Sequence, residues 1–266
     1  MKKMLLSMAL VAGFSATQAQ KTLVLYYSQT GTTKTVAVEL QQQLGADTEA
    51  IETVEAYDGN FQETIQRCQR EMQEGKTPAL KPFKSRLSDY DVIFLGYPIW
   101  FGTYAMPIAT LVKECDFAGK TVVPFCTFGS GGLNTSSDAL LKALPKAKIA
   151  AGYGVRTARI AAASKELDRF LKENGYKAGT VTPLPDYSAQ QPVTEAERKL
   201  FDAACSSYQF PLGTPKTVGK RTTPDGTDYQ FTVTGRGMDG QESTSTIFVT
   251  VSNAPGAQPE FTQVVR

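Results

Sequence analysis

The 266-residue chain predicts an α/β fold, a five-stranded parallel sheet with helices on both faces, followed by a small α+β unit. Three observations carry this. Over residues 21–175, short runs rich in β-branched and aromatic residues alternate with amphipathic stretches, the pattern of successive βαβ units. The runs are almost continuously apolar, as strands buried on both faces must be. Past a stretch at 179–193 holding Pro183, Pro185, Pro192 and Gly179, a linker composition, the pattern changes to one capped helix and several strand-like runs.

Taken in order, Lys21-Thr-Leu-Val-Leu-Tyr-Tyr27 reads as a buried strand over 22–27. Val36, Leu40 and Leu44 then recur every four positions, one face of a helix over 33–44 that Gly45 can end. A strand at 47–52 and a helix at 60–75 follow. The loop from Gly75 to Ser88, with Pro78, Pro82, Lys76, Lys81, Lys84 and Arg86, reads as a solvated connection. Asp91-Val-Ile-Phe-Leu-Gly96 gives a strand at 91–95 and Thr121-Val-Val-Pro-Phe-Cys126 one at 120–126, with a helix at 104–114 between them. A helix at 134–143, a strand at 147–153 and a helix at 163–175 complete the unit, which right-handed crossovers would connect. In the second unit, 194–266, Thr194-Glu-Ala-Glu197 is a capping box opening a helix to about Ser206. Runs near 215–222, 228–235, 242–252 and 260–265, with turn signals Pro224-Asp-Gly226 and Met238-Asp-Gly240, predict a four-strand antiparallel meander. It holds no cluster of catalytic residue types, which suggests a recruitment, dimerisation or lid module.

The loops that follow the parallel strands carry the chemistry, because open α/β sheets bind ligands at the carboxyl ends of their strands. Ser28-Gln29-Thr30-Gly31-Thr32-Thr33 lies between the first strand and its helix. A strand–loop–helix of this kind aims backbone N–H groups and a helix dipole at one spot. Ser28, Thr30, Thr32 and Thr33 add hydroxyls, and no acidic residue opposes an anion: a neutral phosphate cradle, though an ordinary capped turn also uses these residue types. One glycine, with Lys34 beyond the hydroxyls, fits neither the Walker pattern nor the dinucleotide fingerprint. The second loop, Tyr97-Pro98-Ile99-Trp100-Phe101-Gly102-Thr103-Tyr104, is expected to expose an aromatic cluster suited to covering a flat ring. In the third, Thr127-Phe128-Gly129-Ser130-Gly131-Gly132, glycines would let the backbone approach a ligand closely.

Ser/Thr-x-Thr-Gly-x-Thr after the first strand, Tyr90-Asp-Val-Ile-Phe-Leu-Gly-Tyr-Pro-Ile-Trp100 and the Thr127–Gly132 loop together resemble the flavodoxin family of FMN-binding proteins, over about residues 21–175. The resemblance implies a doubly wound sheet of order 2-1-3-4-5 and FMN as cofactor. Ser28, Gln29, Thr30, Gly31, Thr32 and Thr33 would take its 5′-phosphate. Pro98, Ile99, Trp100, Phe101 and Gly102 would flank its ring, and Thr127, Phe128, Gly129, Ser130 and Gly131 would meet the ring edge. Phe101 and Phe128 depart from the family, standing where Trp and a small polar residue would be as readily expected. No side chain is expected to be catalytic, since the flavin carries the electron chemistry. The loops hold little acidic charge, which would penalise an anionic reduced ring less and favour two-electron chemistry.

Residues 1–19 combine Lys2 and Lys3, an apolar stretch from Met4 to Phe14 and a small-polar end at Thr17-Gln18-Ala19: the pattern of a secretory signal peptide cleaved after Ala19, too short to span a bilayer. The two lysines, rather than a twin arginine, point to export as an unfolded chain into the periplasm. Without Lys2 and Lys3 the basic count falls from 28 to 26 against 26 acidic residues, so charge gives no reason to expect nucleic acid or an anionic membrane as a partner. With no histidine, Ser-His-Asp chemistry and His-ligated metals are excluded, and no metal site is expected. The four cysteines, Cys68, Cys115, Cys126 and Cys205, form no Cys-x-x-Cys pair; buried thiols and one disulfide both remain open. The expected activity is FMN-dependent electron transfer or reduction outside the cytoplasm with a quinone-like molecule or a redox protein, a homo-oligomer being open. The alternative is a non-catalytic binding or scaffold module whose C-terminal unit recruits a partner.

Overall fold

The structure, a computed structural model, describes residues 20–236 and 241–266. The predicted signal peptide and the Met238-Asp-Gly240 turn lie outside the described residues. Strands β1 (Thr22–Tyr26), β2 (Asp47–Ala50), β3 (Val92–Trp100), β4 (Thr103–Tyr104), β5 (Thr121–Phe128), β6 (Lys148–Ile149) and β7 (Tyr153–Arg156) form the first sheet. Its path is β2-β1-β3-β5-β6, with β7 also on β5 and β4 folded back on β3. All pairings are parallel except the β3–β4 hairpin, which is the doubly wound order expected from the resemblance.

Helices α1 (Thr32–Leu44), α2 (Phe61–Gln73), α3 (Met106–Glu114), α4 (Leu133–Ala143) and α5 (Ala163–Glu173) lie between the strands in sequence. Gly45 ends α1 in a left-handed conformation, its N–H on Gln41 O, as its sequence position predicted. The period-two alternation of β1 divides the core in two. Leu23, Leu25 and Tyr27 enter one apolar cluster, Val24 and Tyr26 the other, so both faces are covered.

Two departures from the sequence reading have local causes. The strand expected at 147–153 is two pieces, β6 and β7, both on β5. The break falls opposite Pro124 of β5, which brings no amide to the ladder; a Cβ on Gly152 would lie 2.6 Å from Pro124 O. β3 also runs five residues beyond the predicted 95, because β4 returns to pair with its end.

The second sheet is antiparallel, order β12-β11-β10-β9-β8, from β8 (Gln191–Pro192), β9 (Thr214–Thr223), β10 (Gly226–Arg236), β11 (Glu242–Ser252) and β12 (Glu260–Val265). It has five strands rather than the expected four, since the end of the predicted linker adds β8 to its edge, a position where Pro192 is tolerated. Helix α6 (Glu195–Cys205) opens with the predicted capping box, Thr194 accepting from Glu197 N and Glu197 from Thr194 N. It buries Phe201 and Ala204 with Val218, Phe231, Val233, Ile247, Val249, Phe261 and Val264.

Candidate functional site

The first loop leaves β1 at Tyr27 and enters α1 through Gly31, whose φ of 92° needs a residue without Cβ. Gly31, at the N-cap, has no side chain with which to cap the helix. Lys34 N donates to Ser28 Oγ at 3.2 Å, but the amides of Thr30, Gly31, Thr32 and Thr33 find no acceptor among the described residues. The hydroxyls of Thr30 and Thr32 stand 3.4 Å apart. Open amides flanked by hydroxyls at a dipole's positive end suit an anion. Two of the six predicted residues face elsewhere. Gln29 Nε2 donates to Tyr57 O (3.0 Å) and Thr64 Oγ1 (2.8 Å), tying the loop before α2 to the cradle. Thr33, 1% exposed, shares a 2.8 Å hydrogen bond with Thr127 Oγ1 and so fastens the first loop to β5.

The second segment is not the exposed aromatic loop expected. Tyr97 lies fully buried, its hydroxyl 3.1 Å from Ser136 Oγ. Pro98, Ile99 and Trp100 continue β3, and a hairpin pairs Ile99 with Tyr104 and Trp100 with Thr103. Phe101 (φ 50°) and Gly102 (φ 80°) form its two-residue turn, the geometry with positive φ at both centres. Trp100 is half-buried, its ring centroid 5.7 Å from Tyr27 and 5.1 Å from Tyr57. Of the cluster, Phe101 alone is largely exposed, at 52%. Behind Trp100, the Tyr57 hydroxyl meets Glu71 Oε2 at 2.5 Å and its ring lies 3.8 Å beneath the Arg67 guanidinium. Burial first, then the Glu71 carboxylate, pushes the Tyr57 phenol up, so it stays protonated.

In the third segment Thr127 and Phe128 are not loop residues: they end β5, both 3% exposed, because β7 pairs as far as Phe128. They support the site from inside. The loop proper is Gly129–Gly132. Gly132 (φ 119°) closes it against the second segment, where a Cβ would stand 2.7 Å from Ile99 Cγ2. The amides of Gly129, Ser130 and Gly131 have no acceptor among the described residues, whereas two carbonyls are taken. Arg156 Nε donates to Gly129 O at 2.7 Å and Val264 N to Ser130 O at 2.6 Å. Gly131 spares its Cβ for the chain's own last strand rather than for a ligand, since that atom would fall 2.2 Å from Val264 O. Sequence reasoning missed Arg156; the available signal was an arginine at the end of a strand whose neighbours are buried.

The profile of the flavodoxin family matches residues 21–173, more than half of the chain, and the chain belongs to that family. A protein from Bacteroides uniformis ATCC 8492 assigned as a flavoprotein is 29% identical, with a TM-score of 0.51, and the match covers 57% of this chain and 99% of that one. One from Bacteroides eggerthii DSM 20697, assigned likewise, is 32% identical at a TM-score of 0.48, with 56% and 97% covered. A Lactobacillus acidophilus NCFM flavoprotein solved in complex with FMN is 22% identical, with a TM-score of 0.49 and 57% and 98% covered. No curated protein matches the chain. FMN is the family's cofactor, and the residues present fit it: unpaired amides with Ser28, Thr30 and Thr32 for the phosphate, Trp100 for the ring, and the Gly129–Gly131 amides for its polar edge.

Proposed function

We propose that this chain is an FMN-dependent oxidoreductase or electron carrier working outside the cytoplasm, with a quinone-like molecule or a redox protein as partner. The observation that carries it is the set of four amides at the start of α1 that have no acceptor among the described residues, beside the Thr30 and Thr32 hydroxyls, a first turn left open to an anion. FMN, when bound, supplies the electron transfer. The protein's part is to hold the phosphate at the cradle and seat the ring between Trp100 and the third loop. Export as an unfolded chain, which residues 1–19 suggest, means the cofactor is taken up afterwards. Nicotinamide donors are scarce outside the cytoplasm, which favours a quinol or another redox protein as the electron source.

Titration of purified residues 20–266 with FMN tests this. Fluorescence is expected to be quenched at micromolar protein. Thr30→Ala loses one charge-assisted hydrogen bond and is expected to raise Kd by roughly ten- to a hundredfold, about 1.5–3 kcal/mol. Trp100→Ala loses stacking worth roughly 0.5–1.5 kcal/mol beyond its buried area. A chain that stays colourless with excess FMN overturns the proposal in favour of a binding or scaffold module.

A further inference from the structure

The third loop touches two parts of the chain that the sequence separates by more than a hundred residues. On one side it continues β5. On the other its carbonyls are held by Arg156, at the end of β7, and by Val264, in β12. Arg156 is 7% exposed and reaches both units: Nε donates to Gly129 O at 2.7 Å and NH1 to Phe261 O at 2.9 Å. Its guanidinium stands 4.1 Å from the Phe261 ring centroid and 5.7 Å from that of Tyr208. A buried guanidinium needs partners for its N–H groups, and here backbone carbonyls from both units take two of them. Val264 N on Ser130 O and Gly131 packed bare against Val264 O complete the joint. Farther out, Arg159 bridges Glu166 (2.8 Å) and Glu260 (2.9 Å), and Lys165 pairs with Asp225.

These contacts fix the orientation of the loop. With the Gly129 carbonyl on Arg156 of β7 and the Ser130 carbonyl on Val264 of the C-terminal sheet, the amides of Gly129, Ser130 and Gly131 are left without partners among the described residues. The Bacteroides uniformis protein is matched over 99% of its length by 57% of this chain, so the residues that clamp the loop from the second sheet lie in an addition.

We propose that the C-terminal sheet is a built-in clamp on the flavin loop, with Arg156 the positioning residue that presents the loop's amides to the cofactor. This rests on the FMN reading above. It gives the second unit a role in cofactor retention, and it makes the two linked: whatever loosens β12 weakens FMN binding, and FMN in turn steadies β12.

The test uses the whole mature chain. Arg156→Met keeps bulk and removes both donated hydrogen bonds; Arg156→Lys keeps the charge and one reach. Val264→Pro deletes the donor to Ser130 with Arg156 intact, at a strand edge where proline is tolerated. Asp225→Asn breaks an exposed ion pair of the same joint without touching the loop. FMN dissociation constants and amide exchange at Gly129–Gly132 and Val264 are measured, the exchange with and without FMN. Arg156→Met and Val264→Pro are expected each to raise Kd on the order of tenfold, and Arg156→Met to speed exchange at the Val264 amide without FMN. Arg156→Lys recovers part of the affinity, Asp225→Asn stays within twofold of the parent, and FMN slows exchange at Val264. A parent that binds FMN while Arg156→Met and Val264→Pro, still folded by circular dichroism, bind it within twofold overturns the clamp alone; so does unchanged exchange at Val264 in Arg156→Met. A parent that binds no FMN overturns the FMN reading and the clamp's flavin role together.

Discussion

Gly96 shows how a single position carries the sheet behind the site. It pairs with Phe125 across β3 and β5, and a Cβ there would stand 2.1 Å from the Phe125 ring. A ring in a packed core cannot swing aside freely, so Gly96→Ala is expected to destabilise the fold by about 1–3 kcal/mol, the usual cost of overpacking, measured by urea unfolding. Phe101 makes the opposite case. Its φ of 50° is strained for a bulky residue, and half its surface is exposed. Asn tolerates that conformation, so Phe101→Asn is expected to raise stability by up to about 1 kcal/mol, read as an upward shift in Tm. If Phe101 also covers the flavin ring, the same variant weakens FMN binding, which calorimetry of the holo form would show. At this scale the sequence was legible for residue type and not for direction. Five of the six positions of the first loop are polar, yet only geometry separates Thr30 and Thr32, which border the cradle, from Gln29 and Thr33, which hold the scaffold together. Tyr97 and Phe128 likewise turn inward because the strands they lengthen are covered on both faces, and neither extension has a local signature.

Elements were legible where a local rule governs them. Helix α6 begins at its capping box, and Thr194→Ala removes the acceptor for Glu197 N. That is expected to cost about 1 kcal/mol, within the 0.5–2 kcal/mol range for N-caps. Because α6 buries Phe201 and Ala204 in the second core, the loss should appear in the melting of the C-terminal sheet, while FMN affinity at lower temperature is held. The Pro224-Asp-Gly226 signal gives the β9–β10 hairpin, in which Gly226 is required: a Cβ would meet Val251 O at 1.9 Å. What the sequence hid were features set by a partner strand. β8 is two residues long and exists because β9 offers an edge; β6 and β7 separate because Pro124 interrupts the strand they both join. Neither depends on the periodicity of its own residues, so periodicity could not find it.

At the scale of the whole molecule, alternation of strands and helices is a long-range signal made of local parts, and it gave the parallel sheet. The docking of the second sheet on the third loop is the reverse, a few contacts such as Val264 on Ser130 between residues with no shared pattern. The thiols offer a probe of both units at once. All four cysteines are free. Cys68 is fully buried in the core beneath α2, and Cys205 packs against the core of the second sheet. Burial, with a smaller push from Glu71, raises the Cys68 thiol from its ordinary 9.0 to about 11. Burial raises Cys205 to about 12, against a lowering by Arg156. The folded chain therefore keeps both protonated in a range where the unfolded chain has begun to lose the proton. Below about pH 9 the two states bind that proton equally and the thiols leave stability unchanged with pH. As pH rises from 9 toward 11 and 12 the unfolded state gains by ionising and the fold loses stability, the buried phenols of Tyr27, Tyr57 and Tyr153 adding in the same direction. Tm is thus expected to fall steadily above pH 9, and Cys68→Ala with Cys205→Ala should flatten part of that slope. At pH 7.5 both thiols are expected to resist iodoacetamide in the native chain and react in urea, since the thiolate is the nucleophile. Rapid native alkylation of Cys205 with Cys68 protected would mean that the second unit opens by itself, and would locate the weaker of the two cores.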